Sequence, residues 1–201
     1  MLKGVIMSVI FGIKENNEII IAADKRGTNI INGTYNDDEE KVIVINEHLA
    51  FATAGNVSIK RAILMDVQKL SNIEKMTTDS LLDVITLFYK GINEKGITGL
   101  ISMPFTFLIA GQSKNNNANL ISGSNINGRY STLEVTMALY PPEDVKNELC
   151  CQIFANNYNL HHSSFVENTI NEIAELSDYV STTGDKWIYN IHLKKGRLLT
   201  F

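Results

Sequence analysis

The chain has 201 residues, of which 44% are hydrophobic and 20% charged, with a formal net charge of −4. This is ordinary globular usage, and it excludes a disordered chain, a collagen-like chain and a coiled coil. The charge balance argues against a nucleic-acid reader with a broad basic face and against a basic membrane-surface helix. A chain of this length buries roughly 70% of its unfolded surface, enough for one core without staples, so a single domain over 1–201 is expected. No apolar run reaches the roughly 18 residues of a membrane span, and the first residues have neither the apolar length nor the small-residue cleavage site of a secretory signal. Cys150 and Cys151 are adjacent, with no C-x-x-C spacing. Adjacent cysteines rarely pair, which fits a reduced, cytoplasmic setting.

In chain order, residues 5–14 are rich in Val, Ile and Phe and read as a strand, with a turn at Glu15-Asn16-Asn17. Residues 18–23 follow with the run Ile19-Ile20-Ile21-Ala22-Ala23, the pattern of a strand buried on both faces. Residues 29–36 read as a loop or short hairpin, and 42–45 and 49–54 as two further strands. The period then changes. Asn56 is a helix N-cap candidate, with Ile59, Ile63, Val67 and Leu70 at helical spacing. A second helix starts near Thr77 and carries Leu81, Ile85, Phe88 and Ile92. Residues 106–110 form a strand, Asn115-Asn116-Asn117 a turn, and 119–122 pair back. Residues 129–140 read as one long strand. Pro141-Pro142-Glu143-Asp144 starts a third helix, with proline and acids in the first turn. His161 and His162 read as loop histidines in preference to a metal pair. Ser164-Phe165-Val166-Glu167 is a capping box for a fourth helix, with Val166, Ile170, Ile173 and Ser177 on one face and Thr169, Ile173, Leu176 and Val180 beside it. Residues 187–193 and 197–201 are strands around Lys194-Lys195-Gly196.

Strands in clusters and helices in pairs argue for sheets covered by helices and against alternating βαβ units. No internal repeat or low-complexity linker interrupts the order. No nucleotide, metal or flavin motif is present, so no cofactor is implied.

Four groups carry candidate chemistry: Ser8, the stretch Ala22-Ala23-Asp24-Lys25-Arg26-Gly27-Thr28, Lys41, and Asp178-Tyr179-Val180-Ser181. With Lys41-Val42, residues 51–56 and residues 107–111, these stretches make the chain resemble proteasome β subunits and the related bacterial peptidase that partners an unfoldase. The resemblance implies an α+β fold, the four-layer αββα sandwich of the N-terminal nucleophile hydrolases, with residues 1–7 an extension ahead of the nucleophile. It places Ser8 where the family has its nucleophilic threonine. Asp24, sixteen positions on, matches the aspartate that holds the catalytic lysine, and Lys41 matches that lysine. Asp178 and Ser181 match the residues that support the free α-amine. Ala52 falls where a glycine N–H helps bind the oxyanion, and Thr28 where a threonine backbone aligns an extended substrate. Two positions depart from the pattern: Met7 stands where self-processing members have glycine, and one supporting serine has no counterpart in the stretch before the third helix.

The chemistry is coherent on its own terms. A hydroxyl nucleophile needs a base within hydrogen-bond reach. An α-amine, with a reference pKa near 8, takes that proton near neutral pH, and a neighbouring ammonium brings its pKa down. Met7-Ser8 has the look of an initiator dipeptide whose trimming would free the Ser8 amine; the alternative is that residues 2–7 extend the first strand. The resemblance implies peptide-bond hydrolysis by a homo-oligomeric ring acting on peptides or unfolded protein, with an unfoldase as partner. The alternatives are a catalytically silent ring-forming or binding subunit and an amidase acting on small molecules.

Overall fold

A computed structural model describes residues 7–29, 33–126 and 128–201. Val5 and Ile6, expected in the first strand, lie outside the described residues, as do residues 30–32 of the expected loop or hairpin. The elements in order are β1 (Ile10–Lys14), β2 (Glu18–Asp24), β3 (Gly27–Asn29), β4 (Thr34–Asn36), β5 (Val42–Asn46), β6 (Leu49–Gly55), α1 (Val57–Gln68), a 3-10 turn (Ile73–Lys75), α2 (Thr78–Glu94), α3 (Thr98–Ile101), β7 (Phe105–Gln112), β8 (Ala118–Ile126), β9 (Arg129–Glu134), β10 (Met137–Tyr140), α4 (Asn147–Leu160), α5 (Phe165–Ala174), β11 (Gly184–Asn190) and β12 (Lys195–Thr200). The fold is mixed, with three antiparallel sheets among the described residues. One five-stranded sheet runs β10-β1-β2-β11-β12, the other β5-β6-β7-β8-β9, and β3 with β4 forms a small hairpin.

The apolar run of β2 explains the centre of the molecule. Alternate residues face opposite sides of a strand. Ile19, Ile21 and Ala23 join Trp187 and Tyr189 of β11 in a cluster with Val42, Ala50, Ala52, Leu108 and Leu120 of the other sheet. Ile20 and Ala22 face the other way, into a cluster with Phe154 of α4 and Phe165, Ile170 and Ile173 of α5. On the second sheet, Leu49, Phe51, Phe107 and Ile109 pack against Ile59 and Ile63 of α1 and Leu81, Ile85 and Tyr89 of α2. Full burial of an aliphatic or aromatic side chain stabilises by about 1.5–3 kcal/mol, so these three clusters dominate the favourable side of folding.

Local signals fix the entries to the first two long helices. The Asn56 side chain accepts from the N–H groups of Ser58 and Ile59, capping α1. Thr77 and Ser80 form a reciprocal capping box at α2. Leu70 lies beyond the end of α1 and is exposed, and Tyr89 is buried on α2 where Phe88 was expected.

Three expectations are corrected. Residues 129–140 are two strands in different sheets. Val135 N–H still donates to Leu120 O at 2.9 Å, while Thr136 O already accepts from Lys14 N–H at 2.8 Å, so the chain changes sheets within one residue. Alternating β-prone residues on both sides of the corner give no sign of it in sequence. The third helix starts at Asn147, not at Pro141. The Asp144 carboxylate accepts instead from the buried Ser177 hydroxyl, at 2.8 and 2.9 Å. Ser164 makes no side-chain cap at α5, and Glu167, its expected capping-box partner, pairs with Lys186 of β11. A full ammonium across the chain outcompetes a local N–H for that carboxylate.

Two glycines separate close packing from open space. Gly111 has φ +141°, and a Cβ there would lie 2.0 Å from the His48 carbonyl oxygen, whereas Gly91 on α2 has nothing within 4 Å. Gly111→Ala is expected to destabilise by about 2–4 kcal/mol. Gly91→Ala is expected to stabilise by about 0.5–1 kcal/mol. Urea unfolding of both variants checks the pair; equal midpoints would contradict the β6–β7 register.

Candidate active site

Asp24 ends β2 and is fully buried. A carboxylate there is tenable only if its lone pairs are filled. Its Oδ1 accepts from Lys41 Nζ at 2.8 Å and from Val9 N–H at 3.0 Å. Its Oδ2 accepts from Arg26 N–H at 2.8 Å and from Ser181 N–H at 3.4 Å. Three segments distant in sequence, around Val9, Lys41 and Ser181, therefore meet its own on one side chain.

Lys41 immediately precedes β5 in the second sheet and is 4% exposed. Its bond to Asp24 thus ties the end of one sheet to the start of the other. Burial pushes the Lys41 ammonium below the ordinary lysine range, with Asp24 acting in the opposite direction. Ser8 is 6% exposed and sits directly before Val9, whose N–H and carbonyl are both bonded to Asp24, the carbonyl to its backbone N–H at 3.3 Å. Ser8, Asp24 and Lys41 are thereby drawn to one end of the two sheets.

The remaining sequence-expected residues are placed differently. Ser181 is buried and its N–H reaches Asp24, but its hydroxyl donates to Thr183 O at 2.9 Å and accepts from Lys25 N–H at 3.0 Å. Asp178 is exposed and contributes its carbonyl, which accepts from Arg26 Nη1 at 2.8 Å. Ala52 is fully buried in mid-strand. Because Thr53 N–H donates to Lys41 O at 3.0 Å, alternation along β6 turns the Ala52 N–H toward β7. Thr28 lies on β3 opposite Tyr35, and among the described residues its buried Oγ1 has no hydrogen-bond partner.

Arg26 stood in the singled-out stretch without a role of its own, and Lys60 escaped the sequence reading. Arg26 binds Asp37 through Nε and Nη2 at 2.7 and 2.9 Å, and its guanidinium lies 5.2 Å from the Tyr35 ring centroid. It clips the β3–β4 hairpin to the 178–181 segment, and the shared bond holds Asp37 below the usual carboxylate range and raises Arg26. Lys60 on α1 is 7% exposed and pairs with Glu39, two residues before Lys41. Its signal was its place in the buried helical stripe with Ile59 and Ile63, where a lysine needs a partner.

Burial pushes the Cys150 thiol up to about 11, which leaves it un-ionised at neutral pH and a poor nucleophile. Among the described residues, no group of three or more His, Cys, Asp or Glu is placed to hold a metal, and no helix is long and apolar enough to cross a membrane.

Residues 7–95 match the family model described as Proteasome subunit. This segment, less than half of the chain, is similar to proteasome subunits. It contains Ser8, Asp24, Thr28, Lys41 and Ala52, while Asp178 and Ser181 come from the chain beyond it. No curated protein matches this chain. The match is consistent with a proteasome-related N-terminal nucleophile hydrolase family, and the Asp24–Lys41 pair lies within the matched segment.

Asp24→Ala removes one member of a buried ion pair and leaves three N–H groups without their acceptor. It is expected to destabilise by about 3–5 kcal/mol in urea unfolding; a loss below about 1 kcal/mol would contradict this geometry. Lys41 gives a pH signature. With its folded-state pKa lowered below 10.5, the unfolded chain binds more protons between the two values. The stability of the native protein relative to Lys41→Met should therefore rise with pH through that window. A flat or falling difference would contradict the burial of a charged Lys41.

Proposed function

We propose that the chain is a proteasome-like hydrolase of the N-terminal nucleophile type, cleaving peptide bonds through Ser8. The observation that carries this reading is the buried Lys41–Asp24 pair at 2.8 Å, with Asp24 also gripping the N–H of the residue after Ser8. A surface lysine would be a solvated charge. A lysine dehydrated against a carboxylate beside a serine is an electrostatic device. We read 1–201 as one domain in the four-layer αββα arrangement, which the three apolar clusters support: one between the sheets and one under each helix pair.

In this reading the Ser8 α-amine is free. Ser8 Oγ attacks the substrate carbonyl carbon and passes its proton to that amine, whose affinity for a proton the Lys41 charge lowers. The oxyanion collapses, the C–N bond breaks, and the α-ammonium gives the proton to the leaving amine. An ester remains on Ser8. Water then attacks the ester, losing a proton to the amine; the ester C–O bond breaks and the proton returns to Ser8 Oγ. For the oxyanion donor, strand alternation favours the N–H of Gly55 over that of Ala52. It lies on the same side of β6 as Thr53 N–H, past the start of β5. Thr28, on the hairpin that Arg26 clips, would align an extended substrate.

Proteasome subunits typically assemble into rings. We extend this to a cytoplasmic homo-oligomer acting on peptides or unfolded protein, with an unfoldase as partner. The exposure of Met65 on α1 and Leu87 on α2 supports subunit contacts there.

The silent-subunit reading is favoured by one observation. The Ser181 hydroxyl is committed to Thr183 O and Lys25 N–H, which leaves it little capacity for an amine on Ser8, and Asp178 is exposed. The discriminating experiment uses protein whose first residue is shown by mass to be Ser8, assayed on fluorogenic peptides. Hydrolysis is expected, lost at least about 1,000-fold in Ser8→Ala and strongly reduced in Lys41→Ala. A free Ser8 terminus without hydrolysis, and without reaction with a hydroxyl-directed electrophile, would establish the silent subunit.

A further inference from the structure

We infer that Lys60 is a positioning residue for Lys41, fixing the backbone that delivers it and balancing the carboxylate beside it. The inference rests on Lys41 being the ammonium that serves Ser8. Lys60 lies in the first turn of α1 and is 7% exposed. Its ammonium pairs with the Glu39 carboxylate and donates to Glu40 O at 2.7 Å. Glu40 O is the carbonyl of the peptide bond into Lys41. The next carbonyl, Lys41 O, accepts from Thr53 N–H at 3.0 Å, and Glu39 N–H donates to Lys25 O at 3.0 Å. Lys60 therefore completes a frame running from α1 through residues 39–41 to the residue after Asp24.

Helix stability alone would not choose a cation here. The first turn of a helix favours negative charge, and a dehydrated lysine there is doubly unfavourable. What the position gains is control of charge. The groups facing Lys41 are Asp24 at the end of β2, Glu39 and Asp37 on the segment before β5, and Lys60 from α1. Glu39 draws a proton onto Lys41 and Lys60 opposes it. With Lys60 in place, Glu39 is largely neutralised and Asp24 remains the carboxylate that governs Lys41. Without Lys60, Glu39 would compete with Asp24 for the Lys41 ammonium, pulling it from the side of Ser8.

The test is an NMR titration of the Lys41 side chain in the full chain, which needs no turnover. Lys60→Met is expected to move the Lys41 midpoint upward. Lys60→Arg, which keeps the charge and both bonds, should restore the native midpoint. Glu39→Gln is expected to move it downward, a change of opposite sign that generic loosening would not produce. An unmoved or lowered midpoint in folded Lys60→Met overturns the inference. If that variant fails to fold, an unmoved midpoint in Glu39→Gln overturns it equally. In protein beginning at Ser8, the alkaline limb of the hydrolysis profile should shift with the midpoint in each variant. Absence of hydrolysis in the native protein would count against the enzyme reading while the titration still decides the role of Lys60.

Discussion

The buried carboxylate of Asp24 is the constraint on which the rest of the site depends. An ionised group at this depth is tolerated only when its lone pairs are filled. Here they are filled by Lys41 from the other sheet and by three backbone N–H groups, from Val9, Arg26 and the 178–181 segment. No single element supplies them. The site therefore exists only when both sheets and the connection before β11 are assembled, which couples local chemistry to global folding.

The apolar clusters set that meeting point. β2 is covered on both faces, so its position is fixed by packing along its length, and Asp24 emerges where the apolar run stops. β5 begins one residue after Lys41, with Val42 fully buried between the sheets. Lys41 is therefore carried in by a strand whose first residue is already locked. Around this pair, charges are matched outward: Arg26 with Asp37, Lys60 with Glu39, Lys25 with Asp185. The last carboxylate is itself buried and also accepts from Thr200 Oγ1 at 2.6 Å, which brings the final strand into the same framework.

Much of this was legible in sequence where one local signal dominated. The run of β2, the cap at Asn56, the start of a helix near Thr77 and the spacing of Ile59, Ile63 and Val67 each follow from period and local chemistry, without tertiary information. The failures share a cause. The sheet change at Val135-Thr136, the late start of α4 and the missing cap at Ser164 are decided by partners distant in sequence: Leu120 and Lys14, Ser177, and Lys186. The candidate site divides in the same way. Family spacing singled out Asp24 and Lys41, and these meet. It could not foresee that Ala52 would turn its N–H into the β6–β7 ladder, since that depends on strand parity. Nor did it single out Lys60, whose partner Glu39 is set by how α1 lies on the sheet.

The commitments of Ser181 and Asp178 bear on how a base at Ser8 would be tuned. A pKa responds to burial, to nearby charge and to hydrogen bonds on the charged form. Hydrogen bonds accepted by these two side chains from the amine would favour its ammonium form and so raise its pKa. With Ser181 spent on Thr183 and the Lys25 N–H, and Asp178 exposed to water, that upward pull would be weak. The buried Lys41 charge acts in the opposite direction and is not diluted by water. A free amine in this setting would thus be governed by charge and not by hydrogen bonding. Its proton affinity would follow the protonation of Lys41, and through Lys41 the balance among Asp24, Glu39 and Lys60. If Ser8 is the nucleophile, as proposed above, the electrostatic circuit spanning both sheets and α1 would have to do the work of those two polar supports.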